Sequence, residues 1–281
     1  MAIVLFIGCG PNAREDSGGD DDGTGDGGND GTNANGCADG TELVYTIDQL
    51  DQRLSRFDPT TKTFEDLGQL SCPTQNDATP FSMSVARDGT AWVLYNSGEL
   101  FTVPIGTLAC TKTAWVRPTN LKVFGMGFST DVPAGMSETL FIGGARDQSQ
   151  ASYTLARFDT ATLTATPIGS QPKLPEMTGT GNAELWGFFP DANTPRVVQF
   201  NKATGEVTRT YDEPTLAGTN TGYAFAHWGG DFWVFLIKNG EPSTTVYHVD
   251  GTTGAIEETI PTTGRTIVGA GVSTCAPVVI L

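Results

Sequence analysis

A short motif recurs four times along the chain and restricts what it can fold into. The copies are RFDPTTKTF from Arg56, RFDTATLTA from Arg157, QFNKATGEV from Gln199 and HVDGTTGAI from His248. In each, an apolar residue (Phe57, Phe158, Phe200, Val249) precedes Asp or Asn (Asp58, Asp159, Asn201, Asp250), and a Thr follows three residues later (Thr61, Thr162, Thr204, Thr253). This is a strand running into a polar turn, whose side-chain oxygen accepts from backbone N–H groups before β-branched residues restart the next strand. Asp159 to Asn201 is 42 residues, Asn201 to Asp250 is 49, and Asp58 to Asp159 is 101, two periods with a degenerate copy near Val103. There ELFTVPIGTLACTKTAWV, from Glu99, keeps strand, turn and strand without the Asp/Thr signature. A period of about 40 to 50 residues made of four short strands is that of a β-propeller blade, whereas helical repeats of this length need amphipathic runs that the sequence lacks. The expectation is an all-β chain: a single β-propeller of five four-stranded blades.

Apolar alternation, punctuated by Gly, Asp and Asn, places the strands. The first unit has only three, at Leu43, Leu54 and Thr63. The second starts at Phe81 and ends in KTAWV from Lys112; the third begins with VFGMGF, the fourth with MTGTG from Met177 and the fifth with YAFAHW from Tyr223. One strand is left over, TIVGAGVSTCAP from Thr266, with the small residues of an innermost strand. Assigning it to the first unit closes the ring and buries two strand edges. The Gly-rich inner strands are packing surfaces on this reading, since a phosphate cradle requires a following helix.

The N-terminus differs from this body. MAIVLFI is followed by Gly8 and Cys9, and Phe6 to Cys9 resemble the lipobox of bacterial lipoproteins, in which such a cysteine is lipidated. No Lys or Arg precedes the run, and it is shorter than a usual signal core; the alternative is a plain terminus with a chance cysteine. Residues 10–40 are read as a disordered Gly/Asp-rich tether, because a segment without large apolar residues cannot offset its ordering entropy. Asp22, Thr24, Asp26 and Gly27 match the first half of a calcium loop, but Asn33 stands at the twelfth position where Glu is needed. Residues 1–40 carry −7 of the net charge of −16 and residues 41–281, the propeller, about −9. Such a surface argues against nucleic acid as a partner and offers no polybasic lipid anchor.

With Cys9 assigned to lipid, four cysteines remain, an even number that fits two disulfides in an oxidising compartment. Their spacing supports no metal site. The expected pairs are Cys72 with Cys110, joining consecutive blades, and Cys37 with Cys275, joining the ends of the body. On the chain-entropy estimate these loops are worth about 4 and about 5 kcal/mol.

From Glu42 to Cys275 the chain resembles exported bacterial propeller proteins, which implies a cell-envelope location, periplasmic or at the outer membrane. FNKATGEV at Phe200 and VDGTTGAI at Val249 resemble the turns of quinoprotein dehydrogenase repeats. Those repeats carry a Trp where this chain has Arg209 and Glu258, so no cofactor is expected. The five tryptophans lie in or beside strands, most of them read as core wedged between blades. His227 sits in AHWGGDFW with Asp231 and Trp233; GGD there is read as a hairpin turn, the alternative being a carboxylate beside aromatic rings suited to a sugar. His248 lies within a strand. Asp131, Asp147, Asp191 and Asp231 are the carboxylates that hydrolysis could recruit. Loops joining the second and third strands of each blade emerge on one face, so Asn96, Arg146, Asp147, Gln148, Asp191, Asn193, Lys238 and Glu241 are the ligand-binding candidates.

The functional expectation is a monomeric, surface-tethered, non-catalytic binding module for an envelope protein, peptide or glycan. An envelope hydrolase or lyase using loop carboxylates is the alternative. On the lipobox reading, Cys9→Ser should move the protein from the membrane to the soluble fraction; unchanged fractionation would refute the anchor.

Overall fold

The computed structural model describes residues 35–280. Cys9 and its lipobox, the calcium-like stretch from Asp22 to Asn33 and the tether up to residue 34 lie outside the described residues. Among the described residues, twenty strands form five four-stranded antiparallel sheets, each a blade of a closed ring. β1 (Val44–Asp48), β2 (Arg53–Asp58) and β3 (Thr63–Gln69) form most of the first blade. The second comprises β4 (Pro80–Val85), β5 (Thr90–Tyr95), β6 (Leu100–Pro104) and β7 (Thr111–Lys112). β8 (Val123–Thr130), β9 (Glu138–Ala145), β10 (Tyr153–Asp159) and β11 (Thr164–Gln171) follow as the third. The fourth is β12 (Glu176–Gly179), β13 (Leu185–Phe189), β14 (Arg196–Phe200) and β15 (Val207–Asp212). The fifth is β16 (Asn220–Trp228), β17 (Asp231–Lys238), β18 (Thr245–Val249) and β19 (Ile256–Ile260). The last strand, β20 (Ile267–Val272), pairs with β1 and completes the first blade, with Val44 opposite Val272 and Ile47 opposite Gly269.

The repeated motif does what its residues suggest. Asp58, Asp159, Asn201 and Asp250 each accept, through one side-chain oxygen, from the backbone N–H groups two and three residues on. Three of these turns also close by a backbone bond over four residues, from Lys62 to Asp58, Gly205 to Asn201 and Gly254 to Asp250. The degenerate copy keeps that geometry without the side-chain acceptor: Leu108 N donates to Pro104 O at 2.9 Å, with Leu108 at φ 58°. Cys110 then joins Cys72. In this blade the outer strand is only two residues long, shorter than KTAWV suggested. Trp115 leaves the ladder and packs edge-on against Phe158, at 5.1 Å, so its burial across the seam wins over continued pairing.

Apolar side chains fill the seam between each pair of neighbouring blades. Tyr45 and Leu54 meet Met83 and Phe101 between the first and second, and Trp92 meets Phe158 between the second and third. At the closing seam fully buried Phe57 packs against Trp233 at 5.2 Å and Phe235 at 5.5 Å. Trp92, Trp186, Trp228 and Trp233 are all buried. Around the axis the inner strands touch closely. A Cβ at Gly127 would stand 2.7 Å from Thr178 Cα, and one at Gly271 2.9 Å from Ser84 Cα, so small residues there are a packing requirement.

Both disulfides have the expected partners, Cys72–Cys110 and Cys37–Cys275, the latter with Cα atoms 6.0 Å apart. Residues 35–40, read from sequence as the end of the tether, lie along the ring, with Ala38 N donating to Arg87 O at 2.8 Å. Because β20 supplies an inner strand and carries Cys275 just beyond it, removing it opens the ring and one crosslink together. A chain ending at Gly264 should therefore aggregate or lose several kcal/mol in a cooperative denaturant melt. An unchanged midpoint and slope would show the segment to be dispensable.

Candidate functional site

All five inner strands begin on the same face of the ring, and their first residues surround a cavity of about 300 Å³ on the axis. Pro80 and Phe81 open β4, Val123 opens β8, Glu176 opens β12, Thr221 to Tyr223 lie early in β16, and Val268 early in β20. Loops between second and third strands complete the wall with Gln49, Asn96, Arg146, Asp147 and Gln148, and Lys122 joins from the connection before β8. Phe81 and Tyr223 pack on Tyr153, Ala145 and Leu174, forming the apolar side.

Glu176 lies at the floor and is 1% exposed. Its Oε1 accepts from Ser82 Oγ at 2.5 Å, a bond that crosses the axis from the second blade to the fourth. Its Oε2 has no hydrogen-bond partner among the described residues. Gly125 makes room for this carboxyl, since a Cβ there would stand 3.0 Å from Oε2 and collide with Pro175 O. Burial, only partly offset by Ser82, raises the Glu176 pKa well above the ordinary carboxylate range. Burial likewise pushes the Tyr223 phenol up, with Glu176 adding to the effect and Gln148 opposing it.

Of the loop residues singled out from sequence, Asn96, Arg146, Asp147 and Gln148 come together at this cavity. Asn96 is partly committed to its own blade, donating from Nδ2 to Thr79 Oγ1 at 3.0 Å. Asp147 accepts from Arg146 Nε and from Ser149 and Gln150, and those bonds hold its carboxyl well below the usual range. Asp191, Asn193, Lys238 and Glu241 are on the same face but away from the cavity. Asp191 pairs with Lys173 at 3.1 Å and accepts from Asn193 N. Glu241 accepts from Lys238 N, and Lys238 Nζ donates to Thr215 O.

The remaining sequence candidates do not meet here. Asp131 follows β8 and Asp231 begins β17, both on the opposite face. Asp231 accepts from His248 Nε2 and from Gly251 N, at 2.8 and 2.9 Å, and so ties two turns of the fifth blade. The GGD segment is a hairpin turn with Gly229 and Gly230 at positive φ. His227 is buried near the far end of β16, and burial lowers its pKa to about 4. Glu176, Ser82, Gln49 and Tyr223 were not evident from sequence. The signal that could have found Glu176 is a charged residue at the head of a small-residue inner strand.

The buried acid sets a pH dependence. Below its ordinary pKa of 4.5, Glu176 is protonated whether the chain is folded or not. Above it the unfolded chain releases the proton while the folded chain keeps it, so stability falls as pH rises until the folded group ionises. As pH rises above 4.5, wild type should lose stability relative to Glu176→Gln in paired denaturant melts. Parallel pH profiles would show the acid to be ionised in the fold.

No protein-family model matches the sequence, and no curated protein is significantly similar to it. Among solved structures, its fold is similar to that of a Bacteroides caccae protein of unknown function, with a TM-score of 0.45 and 9% identity over 81% of this chain and 97% of that one. It is also similar to a Lactobacillus plantarum protein (TM-score 0.45, 15% identity, 83% of this chain and 72% of that one). A third similar structure is TolB from Acinetobacter baumannii (TM-score 0.45, 11% identity, 78% of this chain and 51% of that one).

Proposed function

We propose that this chain is an exported, non-catalytic binding module of the cell envelope, tethered through Cys9, whose ligand enters the axial cavity. One observation carries the reading: inner strands from all five blades, with three of the loops between second and third strands, converge aromatic, amide and hydroxyl groups on a single concavity. The four carboxylates that hydrolysis could recruit are divided between the two faces, and Asp147 and Asp231 are engaged in holding their own turns. Export is supported by two disulfides within one small body, a pattern of oxidising compartments. The tether and lipid anchor rest on the lipobox resemblance and on the composition of residues 10–40.

Thr221 is exposed and borders the cavity, so Thr221→Trp fills the mouth without entering the core. Thr60, exposed in a turn of the opposite face, is the control position. Screened on glycan and peptide arrays, the protein should bind a ligand whose affinity drops about tenfold or more in Thr221→Trp and stays unchanged in Thr60→Trp. Binding indifferent to Thr221→Trp would move the site elsewhere. Turnover of an envelope substrate that Thr221→Trp abolishes would replace the binding reading with an enzymatic one.

A further inference from the structure

On the reading that the axial cavity is the binding site, we infer that its ligand is an uncharged sugar ring, recognised from the floor by the carboxylic acid of Glu176. The size comes first. About 300 Å³ is at the lower end of small-molecule sites, which suits one or two rings entering end-on.

The lining then selects the chemistry. Sugar hydroxyls are donors and acceptors at once, and four of the uncharged polar groups that line the cavity have the same double character. Gln49 and Gln148 each carry a carbonyl oxygen and an NH2 group, and Thr221 and Tyr223 carry hydroxyls. Glu176 has Oε1 occupied by Ser82, which leaves Oε2 as the polar atom in need of a partner. A protonated Oε2 donates to a ring hydroxyl, and the carboxyl keeps acceptor capacity for the next. Phe81 and Tyr223 supply apolar surface for the C–H face of a pyranose.

Charge argues the same way. Glu176 is 1% exposed, so a ligand carboxylate set against it would confront a like charge away from water once the acid ionises. A cationic ligand would need the opposite state. The other charged or titratable groups facing this region are Lys122, Arg146 and Asp147 on the rim and the phenols of Tyr223 and Tyr153. Asp147 is held ionised and both phenols are held protonated, so Glu176 is the carboxyl whose state changes with rising pH.

The test is titration calorimetry of the full chain with neutral methyl hexosides, methyl N-acetylhexosaminides, the matching uronic acids, hexosamines and a short neutral peptide. A neutral glycoside should bind about tenfold or more tightly than its uronate and amine counterparts. Its affinity should be flat on the acid side and fall at higher pH as Glu176 ionises. Glu176→Gln should keep binding within about threefold and lose the pH dependence, while Glu176→Leu should lose about tenfold or more with circular dichroism unchanged. Preference for the uronate, the amine or the peptide in wild type would overturn the inference whether or not the variants fold. If that preferred ligand is displaced by Thr221→Trp, the binding module stands and only the sugar is wrong; if no ligand of any class senses Thr221→Trp, the module reading fails as well.

Discussion

Everything in this molecule depends on the antiparallel pairing of β20 with β1. A propeller blade buries its faces only against neighbours, so an open ring leaves one seam exposed at each end and an inner strand with unpaired backbone. The pairing of Val44 with Val272 through Ile47 with Gly269 removes that edge, and the Cys37–Cys275 bridge ties the chain entry to the strand that closes it. Phe57, Trp233 and Phe235 then fill the fifth seam as the other four are filled. The ring is therefore one cooperative body although its sequence is modular.

The cavity follows from the same constraint. Inner strands packed closely enough to need Gly125, Gly127, Gly269 and Gly271 diverge into a concavity at their first residues. Glu176 sits at that point. Its bond to Ser82 spans the axis, and its burial is enforced by the second, third and fourth blades together. A neutral acid is the state in which such a group costs least, because an ionised carboxylate with one hydroxyl partner is poorly compensated away from water.

The architecture was legible in the sequence because the repeat encodes a local interaction. Asp58, Asp159, Asn201 and Asp250 fold their turns with hydrogen bonds to residues two and three positions away, so the motif survives without reference to the rest of the chain. Ring closure was legible by counting, since three strands at one end and one at the other have a single economical arrangement. The site was legible only to the level of a face. Asn96, Arg146 and Asp147 reach the cavity mouth because loops of one class share that face, while Lys238, Glu241 and Asp191, in loops of the same class, are drawn into local pairs. Glu176 was hidden for a physical reason: its role depends on Ser82 at 94 positions' separation and on the missing side chain of Gly125, and no local pattern carries either.

The two mouths of the ring are not equivalent, and closure explains why. Beyond β20 the chain crosses the face opposite the cavity and touches four blades. Thr274 Oγ1 donates to Glu138 Oε2 at 2.6 Å and accepts from Arg87 Nη1 at 3.1 Å, engaging the third and second blades. Thr274 O lies 2.7 Å from the position of a Cβ at Gly181, after the fourth blade's inner strand. Gly229 N donates to Pro277 O at 2.7 Å in the fifth. The segment that locks the ring thus also covers this mouth, and the Cys37–Cys275 bridge is part of the cover. A ligand approaching along the axis from this side meets structure that the fold needs for its stability. From the other side it meets loops whose sequences can vary without opening the ring. Closing the ring with the C-terminal strand therefore makes the two axial mouths unlike.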